Sequence, residues 1–305
     1  MTKSIGHEKN KLKLRNIIKS NSVGHAYLFV GKQSVGKKLI AIEFAKNILC
    51  DSLIDEEPCC KCQSCLNFGN GSDFKIISPE KNVIKVDAIR ELSNELFLLP
   101  TISKRKVFII DDAESMNEQA QNALLKILEE PPTYATIILI VSNKEKLLNT
   151  IKSRVIEFQF EALKREEIKS ILKAQNIETT EDAIMFSNGS VEKAIEFIND
   201  ETFDIAKELS EILLEKDFLK ANRKIEAIKA DKNLKANIAS ILEKVMYIFY
   251  NKMKTDISFE ISYIERIEET LQSIKRNANV DLALDVLMLD ICKLWGGHNE
   301  RNCRS

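Results

Sequence analysis

The chain has 305 residues, enough for two domains or three small ones, and carries 45 Lys plus Arg against 46 Asp plus Glu for a formal net charge of -1. A balance this even excludes a histone-like or polybasic protein that holds nucleic acid by bulk charge, so any DNA contact must be local. With 9 Gly and 5 Pro, these residues make up about 5% of the chain where average usage is roughly 12%, and mostly helical structure is expected. No apolar run reaches the length of a membrane span, and the opening MTKSIGHEKNKLKLR lacks the apolar stretch of a signal peptide. A cytoplasmic protein that does not engage a membrane is expected.

Residues 8–20 place Leu12, Leu14, Ile17 and Ile18 near helical spacing, predicting a short amphipathic helix. HAYLFVG then reads as a strand ending at Gly31, and the stretch from Lys37 to Cys50 as a helix. KIISPE predicts a second strand, residues 86–98 a helix, and KVFIIDD a strand buried on both faces. Residues 117–128 form a further helix stopped by EEPP, TIILIVSN is the next buried strand, and RVIEFQF the last. Strands alternating with helices imply a parallel sheet. Beyond about residue 160 every stretch reads as helix. The expected organisation is an α/β domain over residues 1–160, a small helical domain over 161–202 and a larger helical bundle over 203–305.

Residues Gly31 to Lys38 read GKQSVGKK, matching seven places of the phosphate loop G-x-x-x-x-G-K-[ST] and failing the eighth. Such a loop turns backbone N–H groups toward phosphate oxygens, and Lys37 would neutralise β/γ charge. Lys38 has no hydroxyl to ligate Mg²⁺, so binding of ATP or ADP can survive while hydrolysis is not expected. The bland reading is a loop retained for packing. Asp111 and Asp112 end a buried strand where phosphate-loop proteins place a metal-binding carboxylate and then a base. Asp112 is one methylene shorter than the usual Glu, a deficit for geometry-dependent chemistry. The alternative is that both acids merely cap the next helix.

Cys50, Cys59, Cys62 and Cys65 follow C-x₈-C-x₂-C-x₂-C, and four thiolates supply the closed tetrahedral set typical of structural Zn²⁺. Cys60 lies inside the cluster and could replace Cys59 if the turn register differs; a redox pair is the rival chemistry. Cys292 and Cys303 are isolated, read as a core thiol and a tail residue.

HAYLFVGKQSVGKK, the cysteine cluster, KVFIIDDAESMNEQAQNALLKILEEPP and IKSRV, in this order, resemble the clamp-loader branch of the AAA+ ATPases, and within it the delta-prime type of bacterial DNA polymerase III. The resemblance implies a P-loop AAA+ domain with a zinc knuckle, a helical lid and a C-terminal helical collar. It further implies work beside subunits of gamma/tau and delta type, acting on a sliding clamp and primer-template DNA. Ser153 and Arg154 match the family's Ser-Arg-Cys motif, whose Arg reaches a neighbour's ATP; Val155 replaces the Cys. In NGSVEKAIEF the place of the family's γ-phosphate-sensing lid Arg is held by Glu192, or by Lys193 if the alignment slips by one. Lys38, Asp112 and Glu192 together imply a subunit that lends an Arg but does not turn over ATP itself.

The helical remainder carries apolar stripes at Ile238, Ile241, Leu242, Val245 and Ile248, at Ile261, Ile264, Ile267 and Leu271, and at Leu282, Leu284, Val286, Leu287 and Leu289, read as a bundle core. Lys216, Lys220, Lys224 and Lys229 are read as a solvated face, His25 as a core or capping histidine, and Arg154's plain alternative is an ion pair with a carboxylate such as Glu157. Two rival functions remain: an active gamma/tau-type ATPase that tolerates Lys38, and a zinc-dependent nucleic-acid-binding module.

Overall fold

The computed structural model describes residues 4–200, 202–255 and 261–295. The chain divides into two compact units, Met1–Ile195 and Glu196–Ser305. In the first, α1 (Glu8–Lys19), β1 (Ala26–Gly31), α2 (Lys37–Leu49), the single turn α3 (Gln63–Leu66), β2 (Phe74–Ile77), α4 (Val86–Phe97), β3 (Lys106–Ile110), α5 (Glu118–Glu129), β4 (Ala135–Val141), the single turn α6 (Asn149–Lys152) and β5 (Ile156–Phe160) follow in order. Helices α7 (Arg165–Ala174), α8 (Glu181–Phe186) and α9 (Val191–Ile198) complete it, the last crossing into the second unit.

The five strands form one sheet, β2-β3-β4-β1-β5, with every pairing parallel. Strands β3 and β4 are buried along their whole length, which is why both read as unbroken apolar runs. Side chains nevertheless alternate between faces. Leu28, Phe108, Ile110, Ile137 and Leu139 share one core with Leu92, Leu96, Leu124 and Leu128 of α4 and α5. Tyr27, Phe29, Val107, Ile109, Ile138 and Ile140 share the other with Leu14, Ile40 and Phe44 of α1 and α2. Each large apolar side chain buried in this way stabilises the sandwich by about 1.5–3 kcal/mol. Edge strand β5 alternates exposed and buried residues, so only Phe158 and Phe160 contribute.

This order puts β1 inside the sheet, between β4 and β5, so the loop after Gly31 opens at the carboxyl ends of the strands, where open α/β sheets hold ligands. Gly31 is required by packing: a Cβ there would lie 2.3 Å from the carbonyl oxygen of Phe160. Gly36 is required by conformation, with φ of 96° as it starts α2.

The second unit contains α10 (Thr202–Glu215), α11 (Phe218–Ala230), α12 (Lys232–Ala236), α13 (Ile238–Thr255), α14 (Ser262–Lys275) and α15 (Val280–Trp295). Its core gathers Ile238, Ile241, Leu242, Val245 and Phe249 of α13 with Ile264, Ile267 and Leu271 of α14 and Leu284, Leu287 and Ile291 of α15. The stripes were not uniformly core. Ile261 is exposed, and so are Leu282, Val286 and Leu289, which recur at helical spacing on one side of α15. Cys292 is buried as expected; Cys303 lies outside the described residues.

Lys220 pairs with Glu215 and Asp217, Lys224 with Glu208, and Lys229 with Glu226 and Asp285; Lys216 and Lys220 are exposed, but Lys224 and Lys229 are mostly covered, so the solvated-face reading holds for the first two only. His25 is exposed at the mouth of β1, contrary to the core reading.

Candidate functional site

The phosphate loop is stitched to its own chain. Lys37, almost fully buried, turns its ammonium onto the carbonyl oxygens of Gly31 and Lys32, donating at 2.7 Å to each. Burial holds its pKa below the usual lysine value, against the opposing pull of Glu114, Asp112 and Asp111. Ser34 adopts a left-handed backbone with φ of 59°, and its hydroxyl donates to the Glu192 carboxylate on α9, while the Val191 N–H reaches the Ser34 carbonyl at 3.4 Å. His7, just before α1, contacts the Val35 carbonyl through Nε2 at 2.8 Å and sets its ring edge against Phe160.

At the ends of β3 and β4 the acids gather. Lys38 Nζ lies 2.9 Å from Asp111 Oδ2. Asp112 takes a left-handed backbone with φ of 47°, and its pKa is raised, first by burial and then by Asp111 and Glu114. Glu114, which spacing did not single out, accepts from the N–H groups of Ser142 and Asn143 at 2.7 and 3.3 Å and so joins the two strand ends.

These residues do not fit a Mg·nucleotide. Mg²⁺ demands near-octahedral oxygen ligands at about 2.0–2.1 Å, yet at Asp111 the chain supplies an ammonium, which has no lone pair to offer. A carboxylate, Glu192, also sits on the loop where a triphosphate would bring like charge.

Arg154 follows α6. Its guanidinium donates through NH1 to the Thr150 carbonyl at 3.0 Å and the Ser153 hydroxyl at 3.3 Å, and through NH2 to Glu129 at the end of α5 at 3.0 Å. The side chain is 36% exposed. The carboxylate partner is therefore Glu129, not Glu157, which Lys144 holds at 2.8 Å. An exposed pair of this kind is worth about 0–1 kcal/mol, so it orients the guanidinium without locking it. Ser153 steers the same fork, and its own hydroxyl donates to Thr150 at 3.0 Å.

Cys50, at the C-terminus of α2, joins Cys59, Cys62 and Cys65 in a set whose sulfurs all lie within 4.8 Å of one another. Tetrahedral Zn²⁺ with Zn–S of about 2.3 Å needs sulfurs about 3.8 Å apart, close to the 4.0 Å between Cys59 and Cys65. Backbone N–H groups already point at the sulfurs: Cys59 N at Cys50, Cys62 N at Cys59, and Cys65 N at Cys62, at 3.3–3.4 Å. The N–H groups of Lys61 and Cys62 pull the Cys59 thiol down to about 6, while burial pushes Cys50 and Cys65 upward. Cys60 is exposed and turns its sulfur toward the Pro58 carbonyl, away from the set. The donor set fits zinc; the ion would be held by four thiolates and would tie the 50–65 segment to the end of α2.

The family model described as DNA polymerase III, delta subunit, matches residues 6–164, more than half of the chain. The chain belongs to this family. Among its relatives, the DNA polymerase III subunit tau/gamma of Haemophilus influenzae is 34% identical over 186 residues, covering 59% of this chain and 27% of that protein. The subunit delta' of Bacillus subtilis is 35% identical over 166 residues, covering 54% of this chain and 50% of that one. The chain thus spans about a quarter to a half of the length of these relatives. A solved structure of a gamma subunit-related protein from Thermotoga maritima superposes with a TM-score of 0.53 at 22% identity, covering 92% of this chain and 98% of that one, and shares the fold. Family membership rests on the first unit, where the sheet, the loop and Arg154 all lie.

Proposed function

We propose that this chain is a clamp-loader subunit of the delta-prime type. It assembles in the cytoplasm with gamma/tau-type and delta-type subunits, helps load a sliding clamp onto primer-template DNA, and lends Arg154 to a neighbour's ATP. The observation that carries this reading is the half-exposed guanidinium of Arg154, pre-oriented by Thr150 and Ser153 and restrained by a single surface carboxylate. An Arg so placed can exchange Glu129 for a γ-phosphoryl group, whose growing charge it stabilises in the transition state. Val155 replaces the motif's Cys at no chemical cost, since the Cys donates no charge.

The relatives include both tau/gamma and delta' proteins, so the choice between them rests on this chain's own pocket. Lys38 withholds a metal ligand, Asp112 falls short as a base, and Glu192 stands in place of a sensing Arg; each change acts against turnover. Taking residues 161–202 as the lid and 203–305 as the collar, the Ser34–Glu192 contact fastens lid to loop. The exposed stripe of Leu282, Val286 and Leu289 gives the collar an apolar face for a neighbour. Zinc in the knuckle is structural and leaves no open position for catalysis.

The purified chain incubated with Mg·ATP is expected to give no turnover above the uncatalysed rate. Several turnovers per second by the chain alone would overturn the reading and favour an active gamma/tau-type ATPase.

A further inference from the structure

The Lys38–Asp111 pair deepens this account of the same pocket and rests on the reading of Asp111 as the metal-binding carboxylate. We infer that the Lys38 ammonium is a built-in replacement for the divalent cation, supplying Asp111 with the counter-charge that a metal would bring and closing that position to Mg²⁺. The geometry is that of a charge-assisted hydrogen bond, 2.9 Å from Nζ to Oδ2, with the Asp111 side chain only 17% exposed.

The surroundings explain why a cation is needed there at all. Asp112 follows Asp111 at the end of β3, and Glu114, two residues on, accepts from the N–H groups of Ser142 and Asn143 at the end of β4, so three carboxylates crowd one corner of the sheet. The other nearby cation, Lys37, donates to the carbonyls of Gly31 and Lys32 and reaches these acids only through its longer-range charge, leaving Lys38 as the cation in direct contact with Asp111. Removal of the Lys38 charge would leave a partly buried carboxylate group cluster without its direct partner, an electrostatic cost that a mobile divalent ion can relieve. With Lys38 in place the metal is both unnecessary and excluded: the ammonium occupies the carboxylate and offers no oxygen in exchange.

The test is thermal unfolding of the full chain with and without millimolar Mg²⁺, together with Mn²⁺ binding followed by paramagnetic resonance. The wild type is expected to unfold at the same midpoint in both conditions and to bind no Mn²⁺ at this position. Lys38→Met is expected to unfold roughly 2–4 °C lower without metal, to recover on adding Mg²⁺, and to lose that recovery when Asp111→Asn is added. Lys38→Thr, which restores a hydroxyl, is expected to bind Mn²⁺ and serves if the methionine variant does not fold. A wild type stabilised by Mg²⁺ as much as the variants are, wild-type Mn²⁺ binding abolished by Asp111→Asn, or folded Lys38 variants indifferent to both metals would overturn the inference. None of these readouts depends on Arg154 or on a partner, so their failure is distinct from failure of the arginine-lending role.

Discussion

Replacing Arg154 with Ala is expected to lower ATP turnover by the assembled complex by about 10³-fold or more at the site that receives it, within the range of 10³ to 10⁵ known for arginine fingers. The same change should alter this chain's own stability by no more than about 0.5 kcal/mol, because the side chain is half-exposed and its one ion partner, Glu129, is itself 52% exposed. That asymmetry separates the two explanations of Arg154. A residue retained for its pair with Glu129 would show little change in either measurement. Arg154→Lys is a sharper probe: it keeps the charge and loses the planar fork that bonds Thr150, Ser153 and Glu129 together. Turnover is expected to remain low in this variant as well, measured against wild type in a DNA-stimulated phosphate-release assay.

Removing zinc is expected to have the largest effect on structure. Between residues 51 and 66 only Ser64 is buried, so the segment has no apolar core of its own. Structural zinc in comparably small modules contributes an apparent 10–16 kcal/mol at neutral pH, far more than the backbone N–H to sulfur contacts of this turn can offer. Metal analysis after purification without added zinc should return about one ion per chain. Cys62→Ser should lose the ion and leave the segment open to protease, while the sheet, whose two cores draw on neither Cys59, Cys62 nor Cys65, remains folded. Cys60→Ser should retain the ion, since that sulfur faces away. Zinc affinity should fall as pH is lowered, because every thiol must give up its proton to bind and burial makes Cys50 and Cys65 reluctant to do so. A chain that purifies without zinc, or that carries a disulfide within the set, would contradict this and support redox chemistry.

Much of this arrangement was legible in the residues themselves. Strands β3 and β4 announced themselves as unbroken apolar runs because both faces of the sheet are covered, and the cysteine set was visible because its ligands come from one short segment. What remained hidden were contacts between distant parts of the chain. Ser34 meets Glu192 across 158 positions and His7 meets Val35 across 28; no local spacing encodes either. Lys38 could be recognised as lacking a hydroxyl, but its bond to Asp111 depends on β1 and β3 ending at the same edge of the sheet, one strand apart across β4. Arg154 was expected to pair with nearby Glu157 if it paired at all, yet the fold brings Glu129 to it and gives Glu157 to Lys144. In α15, apolar residues recur on more than one side, and periodicity alone does not say which side has a partner. Leu284 and Leu287 met the core, while Leu282, Val286 and Leu289 stayed outside.

The claim that Arg154 serves another subunit's nucleotide is tested most directly by location. A spin label on Arg154→Cys, read against Mn²⁺ bound with a non-hydrolysable ATP analogue, should show strong relaxation enhancement once a gamma/tau-type subunit is added and none with this chain alone. Enhancement in the isolated chain, or no enhancement in the assembled complex, would contradict it.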